Sequence, residues 1–197
     1  MHMNNLRTIS RAAAAALACT ACLCMGALTT SAAITNAAPA TEPPGLNVLK
    51  NSKFNLHTVY WRSWQFAQRH TNWVNVVTKP GEGGDYHALC IADADGSLVG
   101  VQQTVNVVSG KIYRLSGSAR SVVTNSSAIL FGGRIFFRMS PQPEYQLTWS
   151  TEFNQWWRKK IIITNTVTGV ALVVVHMGYG NKASTGEFAD VRLERLN

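Results

Sequence analysis

The sequence predicts an all-β fold: a single-domain β-sandwich (jelly roll) of roughly eight to ten antiparallel strands. Three observations predict it. From Leu46 onward, short alternations of apolar and polar residues recur, each closed by Gly, Asn, Asp or Pro. No helical period survives beyond the first forty residues. One segment, Val170 to Val175, is apolar on both faces, as a strand covered on both sides must be. Short strands repeated without helices between them pack as two sheets face to face.

The elements follow in order. Leu46 to Leu49 opens the domain, with Phe54 after a turn. Trp73 to Val77 is closed by Lys79-Pro80-Gly81 and Gly83-Gly84-Asp85, where Pro and Gly set the turn. Tyr86 to Ile91 puts Leu89 and Ile91 on one face, with Ala88 and Cys90 on the other. Val99 to Val107 alternates well: Val99, Val101, Gln103, Val105 and Val107 share a face, opposite Gly100, Gln102, Thr104 and Asn106. Ser109-Gly110-Lys111 turns the chain into Ile112 to Ser121. There Tyr113, Leu115, Gly117 and Ala119 oppose Arg114, Ser116, Ser118 and Arg120. Gly133 to Met139 precedes a Pro-containing loop at Ser140 to Glu144. Trp157 to Thr164, Val170 to His176 and Glu187 to Leu196 complete the set, with Asn165 to Gly169 as a hairpin-like link.

Composition supports one globular domain. Of 197 residues, 46% are hydrophobic and 14% charged, which excludes a disordered chain and a disulfide-stapled miniprotein. The first forty residues read as a secretory signal peptide. Arg7 and Arg11 precede an uncharged run from Ala12 to Leu28, and small residues follow through Ala38-Pro39-Ala40. The run is Ala-rich and short for a membrane span. Cys19, Cys22 and Cys24 lie in it, but the context of Cys19 fits a lipidation site poorly. Cleavage after Ala40 leaves a short linker, 41–45, and a domain at 46–197. Residues 1–40 hold two Arg and no acid, so the net charge drops from +8 to +6. Export to the periplasm or medium is expected, without stable membrane insertion. One cysteine then remains, Cys90, which reads as a small buried hydrophobe.

Four stretches resemble the carbohydrate-binding modules of families 4, 9 and 22, the galactose-binding-like jelly rolls. Asn47-Val48-Leu49-Lys50-Asn51-Ser52-Lys53-Phe54 resembles the family opening. Val101-Gln102-Gln103-Thr104-Val105 running to Gly110-Lys111-x-Tyr113-x-Leu115-Ser116 resembles its centre. Trp157-Arg158-Lys159 and Phe188-Ala189-Asp190-Val191-Arg192-Leu193 resemble its last two elements. The resemblance implies a non-catalytic glycan-binding protein with its groove on a concave sheet face. It also implies a structural calcium, for which Asn55 and Asp190 are the side-chain candidates. Two acidic positions of the family pattern are Asn55 and Ala189 here, which removes charge that Ca²⁺ favours.

Catalytic motifs are missing from the chain. There is no Gly-x-Ser-x-Gly, no His-Glu-x-x-His and no phosphate-cradling loop. Asp93-x-Asp95-Gly96 reads as a plain turn. A sugar site needs less: aromatic rings for apolar C–H faces, and planar polar groups for hydroxyls. Trp61, Tyr145, Trp149, Trp156 and Tyr179 lie in loop-like or polar surroundings and are the aromatic candidates. Trp64 and Trp157 read as core. Arg114 and Arg120 share a side of one strand, and Arg134, Phe136 and Arg138 share a side of the next. Pairing of those strands would build a basic strip suited to an acidic glycan. Basic charge alone makes a weak case for nucleic acid, which is not expected as a partner. Asn125-Ser126-Ser127 is a glycosylation sequon, which an Ala-rich, bacterial-looking signal makes idle. The alternative function is a structural or adhesive cell-envelope sandwich that binds protein rather than sugar.

Overall fold

The structure is a computed structural model that describes residues 45–65, 74–78, 87–93, 98–122, 131–150, 154–180 and 184–197. The signal segment, the turn at 79–85 and the sequon lie outside these residues. The described chain is all β. Its strands are β1 (Leu46–Asn47), β2 (Arg62–Gln65), β3 (Val74–Thr78), β4 (His87–Asp93), β5 (Val99–Val107), β6 (Ile112–Ser121), β7 (Gly133–Arg138), β8 (Tyr145–Trp149), β9 (Trp157–Thr164), β10 (Gly169–Met177) and β11 (Ser184–Arg195). They form two antiparallel sheets. The first has the order β3-β4-β11-β6-β9, with β1 on β11; the second has the order β2-β5-β10-β7-β8.

The alternation read from the sequence holds where it was strongest. Val99, Val101, Val105 and Val107 of β5 are buried, as are Tyr113, Leu115 and Ala119 of β6. They meet Ala171, Val173, Val175 and Met177 of β10 and Phe188, Val191 and Leu193 of β11 in one core. Strands of both sheets turn one face inward, and burial of these side chains is the main stabilising term. Rings fill one region of the core. Phe188 packs edge-on to Trp149 at 6.2 Å between centroids and tilted against Phe131 at 6.3 Å.

Gln103 is the polar exception in the buried row of β5, and its amide is satisfied. Its Oε1 accepts from the Lys50 N–H at 2.8 Å, and its Nε2 donates to the Lys50 carbonyl at 3.0 Å. Both hydrogen bonds tie the turn after β1 to the second sheet. Gln103→Leu is expected to cost about 1–2 kcal/mol, since Lys50 loses both partners at once. Urea unfolding of the variant checks it; an unchanged midpoint would show that water replaces the amide.

Three expectations are corrected. β6 and β7 do not pair: β6 lies between β11 and β9 in the first sheet, and β7 between β10 and β8 in the second. Successive strands in a sandwich can change sheets, because either sheet offers the same apolar interior. The link from Asn165 to Gly169 is no hairpin either; it carries the chain from one sheet to the other. Asn165 is fully buried there, its Nδ2 donating to the carbonyls of Val108 and Val167 at 2.8 and 2.6 Å. Two strands, β2 and β8, were not foreseen. Both are short, and Arg62-Ser63-Trp64-Gln65 shows no apolar alternation.

The two calcium candidates sit in different surroundings. Between Ala189 and Arg192 the pairing of β11 with β6 shifts at a bulge, and Asp190 sits there with φ of 48°. Its two carboxylate oxygens accept from Arg158 Nη1 at 2.9 Å and Arg192 Nε at 2.7 Å. Two guanidiniums therefore supply the positive charge that a cation would bring. Asn55 is exposed on a turn. Among the described residues no three His, Cys, Asp or Glu come together as metal ligands.

Candidate ligand-binding face

Strand registers place the outward side chains of the second sheet in rows across its strands. One row runs Trp64, Gly100, His176, Arg134, Thr148. The next runs Arg62, Gln102, Val174, Phe136, Gln146. Beyond it lie Thr104, Leu172 and Arg138, then Asn106 and Val170. Side chains in such rows stand close enough to touch, about 5 Å apart between neighbouring strands.

Trp64 is the centre of an aromatic cluster. Its ring lies 4.9 Å from His176 and 5.7 Å from Phe136, and Phe136 meets His176 at 5.6 Å. Tyr179, just beyond β10, adds a fourth ring 6.5 Å from His176. Gly100 makes the row possible. It stands between Trp64 and His176, and a Cβ on it would fall 2.7 Å from His176 Cα and Cβ. The bare backbone lets the two side chains meet over β5.

Arg134 closes the cluster. Its guanidinium lies 4.8 Å from the Phe136 ring centroid and 4.6 Å from that of Tyr179, a cation held between two π faces. It is also ion-paired with Glu144 in the loop before β8. His176 is fully buried beneath these groups. Burial pushes its imidazole down to about 4, and the Arg134 charge adds to this, while the hydrogen bond to the Met177 carbonyl opposes it. The ring is therefore neutral, and a neutral ring with Nδ1 donating to Met177 O at 2.8 Å leaves Nε2 as an acceptor. Among the described residues Nε2 has no hydrogen-bond partner.

The outward face of the first sheet differs in kind. Arg114 Nε pairs with Glu194 at 2.9 Å, and Arg120 Nη2 with Glu187 at 2.7 Å. Arg158 and Arg192 hold Asp190. Glu187 is fully buried among these partners. This face is a charge ladder whose groups satisfy one another.

The candidate residues therefore divide. Arg134, Phe136, Arg138 and Tyr179 come together on the second sheet. Arg114 and Arg120 lie on the other sheet, so the basic strip of four arginines does not form. Trp61 is 5% exposed, with Nε1 donating to Asn51 O at 3.2 Å. Trp149 is 1% exposed, with Nε1 donating to Trp157 O at 2.8 Å. Backbone carbonyls satisfy both indoles, and both are core. Tyr145 packs on the core side against Phe137, with centroids 6.3 Å apart. Trp156 is half-buried, with the Arg120 guanidinium 4.7 Å from its ring centroid. Trp157, read as core, is 40% exposed on the edge strand β9. Trp64, read as core, is half-buried on the outer face. Arg62, Gln102, Thr104, Asn106 and Gln146 were not candidates. The polar half of the β5 alternation was the signal for three of them.

A scan against protein-family models matches none, and a search of curated proteins matches none. The fold does match solved structures. A family 61 carbohydrate-binding module in complex with β-1,4-galactotriose superposes with a TM-score of 0.58 at 19% identity, over 76% of this chain and 98% of that one. A family 4 module superposes with a TM-score of 0.51 at 16% identity, over 75% and 99%. The family 22 and catalytic modules of a Clostridium thermocellum xylanase, complexed with xylohexaose, match with a TM-score of 0.52 at 13% identity. That match covers 77% of this chain and 29% of the other. What these matches share with this chain is the fold, two stacked antiparallel sheets, which is the fold the four sequence stretches implied.

Proposed function

We propose that this chain is a non-catalytic glycan-binding protein, exported behind the signal peptide at residues 1–40, that takes a polysaccharide on the outward face of its second sheet. One observation carries the reading. Around the half-buried Trp64 and Leu172, that face places amides and hydroxyls, from Gln102, Thr104, Asn106 and Gln146, with Val174 fully buried beneath. A sugar ring has an apolar C–H face and a rim of hydroxyls that donate and accept. Indole supplies the flat apolar partner, and each amide offers both a donor and an acceptor. Thr104 and Asn106 are exposed and Gln102 is half-buried, so a ligand can reach all three. Among the described residues of the first sheet, the carboxylates of Glu187, Asp190 and Glu194 are instead engaged by arginines.

Trp64→Ala is expected to weaken binding by about 30-fold, or about 2 kcal/mol, as the loss of a central aromatic anchor does. Affinity electrophoresis through galactan, xylan and mixed-linkage glucan measures it, with circular dichroism confirming the fold. A variant retarded as strongly as the parent would move the site off this face. Retardation by no glycan would favour the protein-binding alternative.

A further inference from the structure

We infer that the ligand of this face is an anionic polysaccharide, laid across the strands from Arg62 on β2 to Arg138 on β7; the inference rests on the glycan reading above. The carboxylates of the structure carry it. Among residues with described side chains, the acids are Glu144, Glu187, Asp190 and Glu194. The last three belong to β11 and meet arginines of the first sheet. Glu144 meets Arg134. Arg62 and Arg138 are exposed, and neither forms an ion pair among the described residues. The second sheet thus presents two guanidiniums with no described carboxylate to answer them, while the first sheet has neutralised most of its own.

Their placement suits one extended chain. Arg62 lies in the Gln102–Val174–Phe136 row and Arg138 in the adjoining Thr104–Leu172 row. They are three strands apart, about 14 Å, and two residues apart along the strand, about 7 Å. Between them lie only the uncharged Gln102, Val174, Thr104 and Leu172. A polysaccharide crossing there passes over Gln102, Thr104 and the half-buried Leu172 and meets a guanidinium on either side. Each guanidinium is a planar fork that takes a carboxylate or a sulfate through two parallel hydrogen bonds. A neutral glycan would leave both forks to water.

Polysaccharides that share a backbone and differ in charge test this: hydroxyethylcellulose against carboxymethylcellulose, and unsubstituted xylan against glucuronic-acid-substituted xylan. The purified protein is expected to bind the charged member of a pair about tenfold more tightly at low salt. The difference should vanish at about 1 M salt, where the screening length is about 3 Å. Arg62→Gln with Arg138→Gln should bring the affinity for the charged member down to that for the neutral one. Lys111→Gln with Lys160→Gln removes the same net charge elsewhere and should keep the preference. Equal affinity within both pairs, or equal loss in the two double variants, overturns the anionic preference while the glycan reading stands. If neither pair binds and Trp64→Ala changes nothing, both readings fall.

Discussion

Acidification from pH 7 to pH 4 is expected to cost the fold about 3 kcal/mol through His176 alone. In the unfolded chain the imidazole titrates at its ordinary 6.5; in the folded chain, burial lowers it to about 4. Between those values the unfolded state accepts a proton that the folded state refuses, so stability falls with pH. The contribution is complete above the unfolded value, is lost progressively below it, and is fully lost below the folded value. Each unit of separation is worth about 1.4 kcal/mol. The proton has nowhere favourable to go. Nδ1 already faces the Met177 carbonyl, Nε2 faces no acceptor, and the Arg134 charge stands beside the ring. Urea unfolding at several pH values in this window measures the slope, and His176→Phe supplies the reference, since Phe can join the cluster but cannot titrate. Parallel slopes for parent and variant would refute the assignment. Because His176 lies beneath Trp64, Phe136 and Tyr179, the outward face of the second sheet should loosen in the same window.

Gly100→Ala is expected to destabilise the protein by about 3 kcal/mol or more. A Cβ at this position would lie 2.0 Å from the Val175 carbonyl oxygen and 2.7 Å from His176 Cα. These are backbone atoms of the central strand β10, and no rotamer change can move them aside. The substitution must force β5 and β10 apart or break their pairing, beyond the usual cost of overpacking. Gly110→Ala is the fitting control. It has φ of 76° and open space around it, so its cost is only that of a left-handed backbone, about 1 kcal/mol. Thermal unfolding of both variants separates the effects. A Gly100→Ala protein as stable as Gly110→Ala would mean that the two strands stand further apart than described.

Alternation was legible because burial enforces it. The rows Val99 to Val107 and Tyr113 to Ala119 could be assigned to their faces from residue type alone. Strand partners were not legible, because every strand of either sheet buries one face in the same interior. Nothing in Arg114-x-Ser116-x-Ser118-x-Arg120 says whether its neighbour is β7 or β11. The answer lay in Glu187 and Glu194, far along the chain, which accept from Arg120 and Arg114. Trp61 and Trp149, two of the aromatic candidates, lie in the core for a related reason. Trp61 and Trp149 stand in polar stretches, yet each finds a carbonyl for its indole N–H and is buried. Trp64 stands in a stretch no more polar, yet a glycine two strands away from Phe136 leaves it room on the outside. A site made from five strands is visible only when the register is known, although its polar half on β5 was already readable as Gly100, Gln102, Thr104 and Asn106.

The central position of β11 bears on how the protein comes to be folded. This strand is the last of the eleven, yet it joins β1, β4 and β6. Among the described strands, only β3 with β4 and β7 with β8 pair with their immediate successors; the other seven ladders link distant segments. During synthesis, therefore, every residue before 184 emerges without the strand that completes the first sheet. Such a chain folds late and slowly, with loop closure to be overcome before the long-range ladders reward it. Until then β4 and β6 offer open edges to any neighbouring chain, and a product cut short before Ser184 would be caught in aggregates or by holding chaperones rather than in a partial native form.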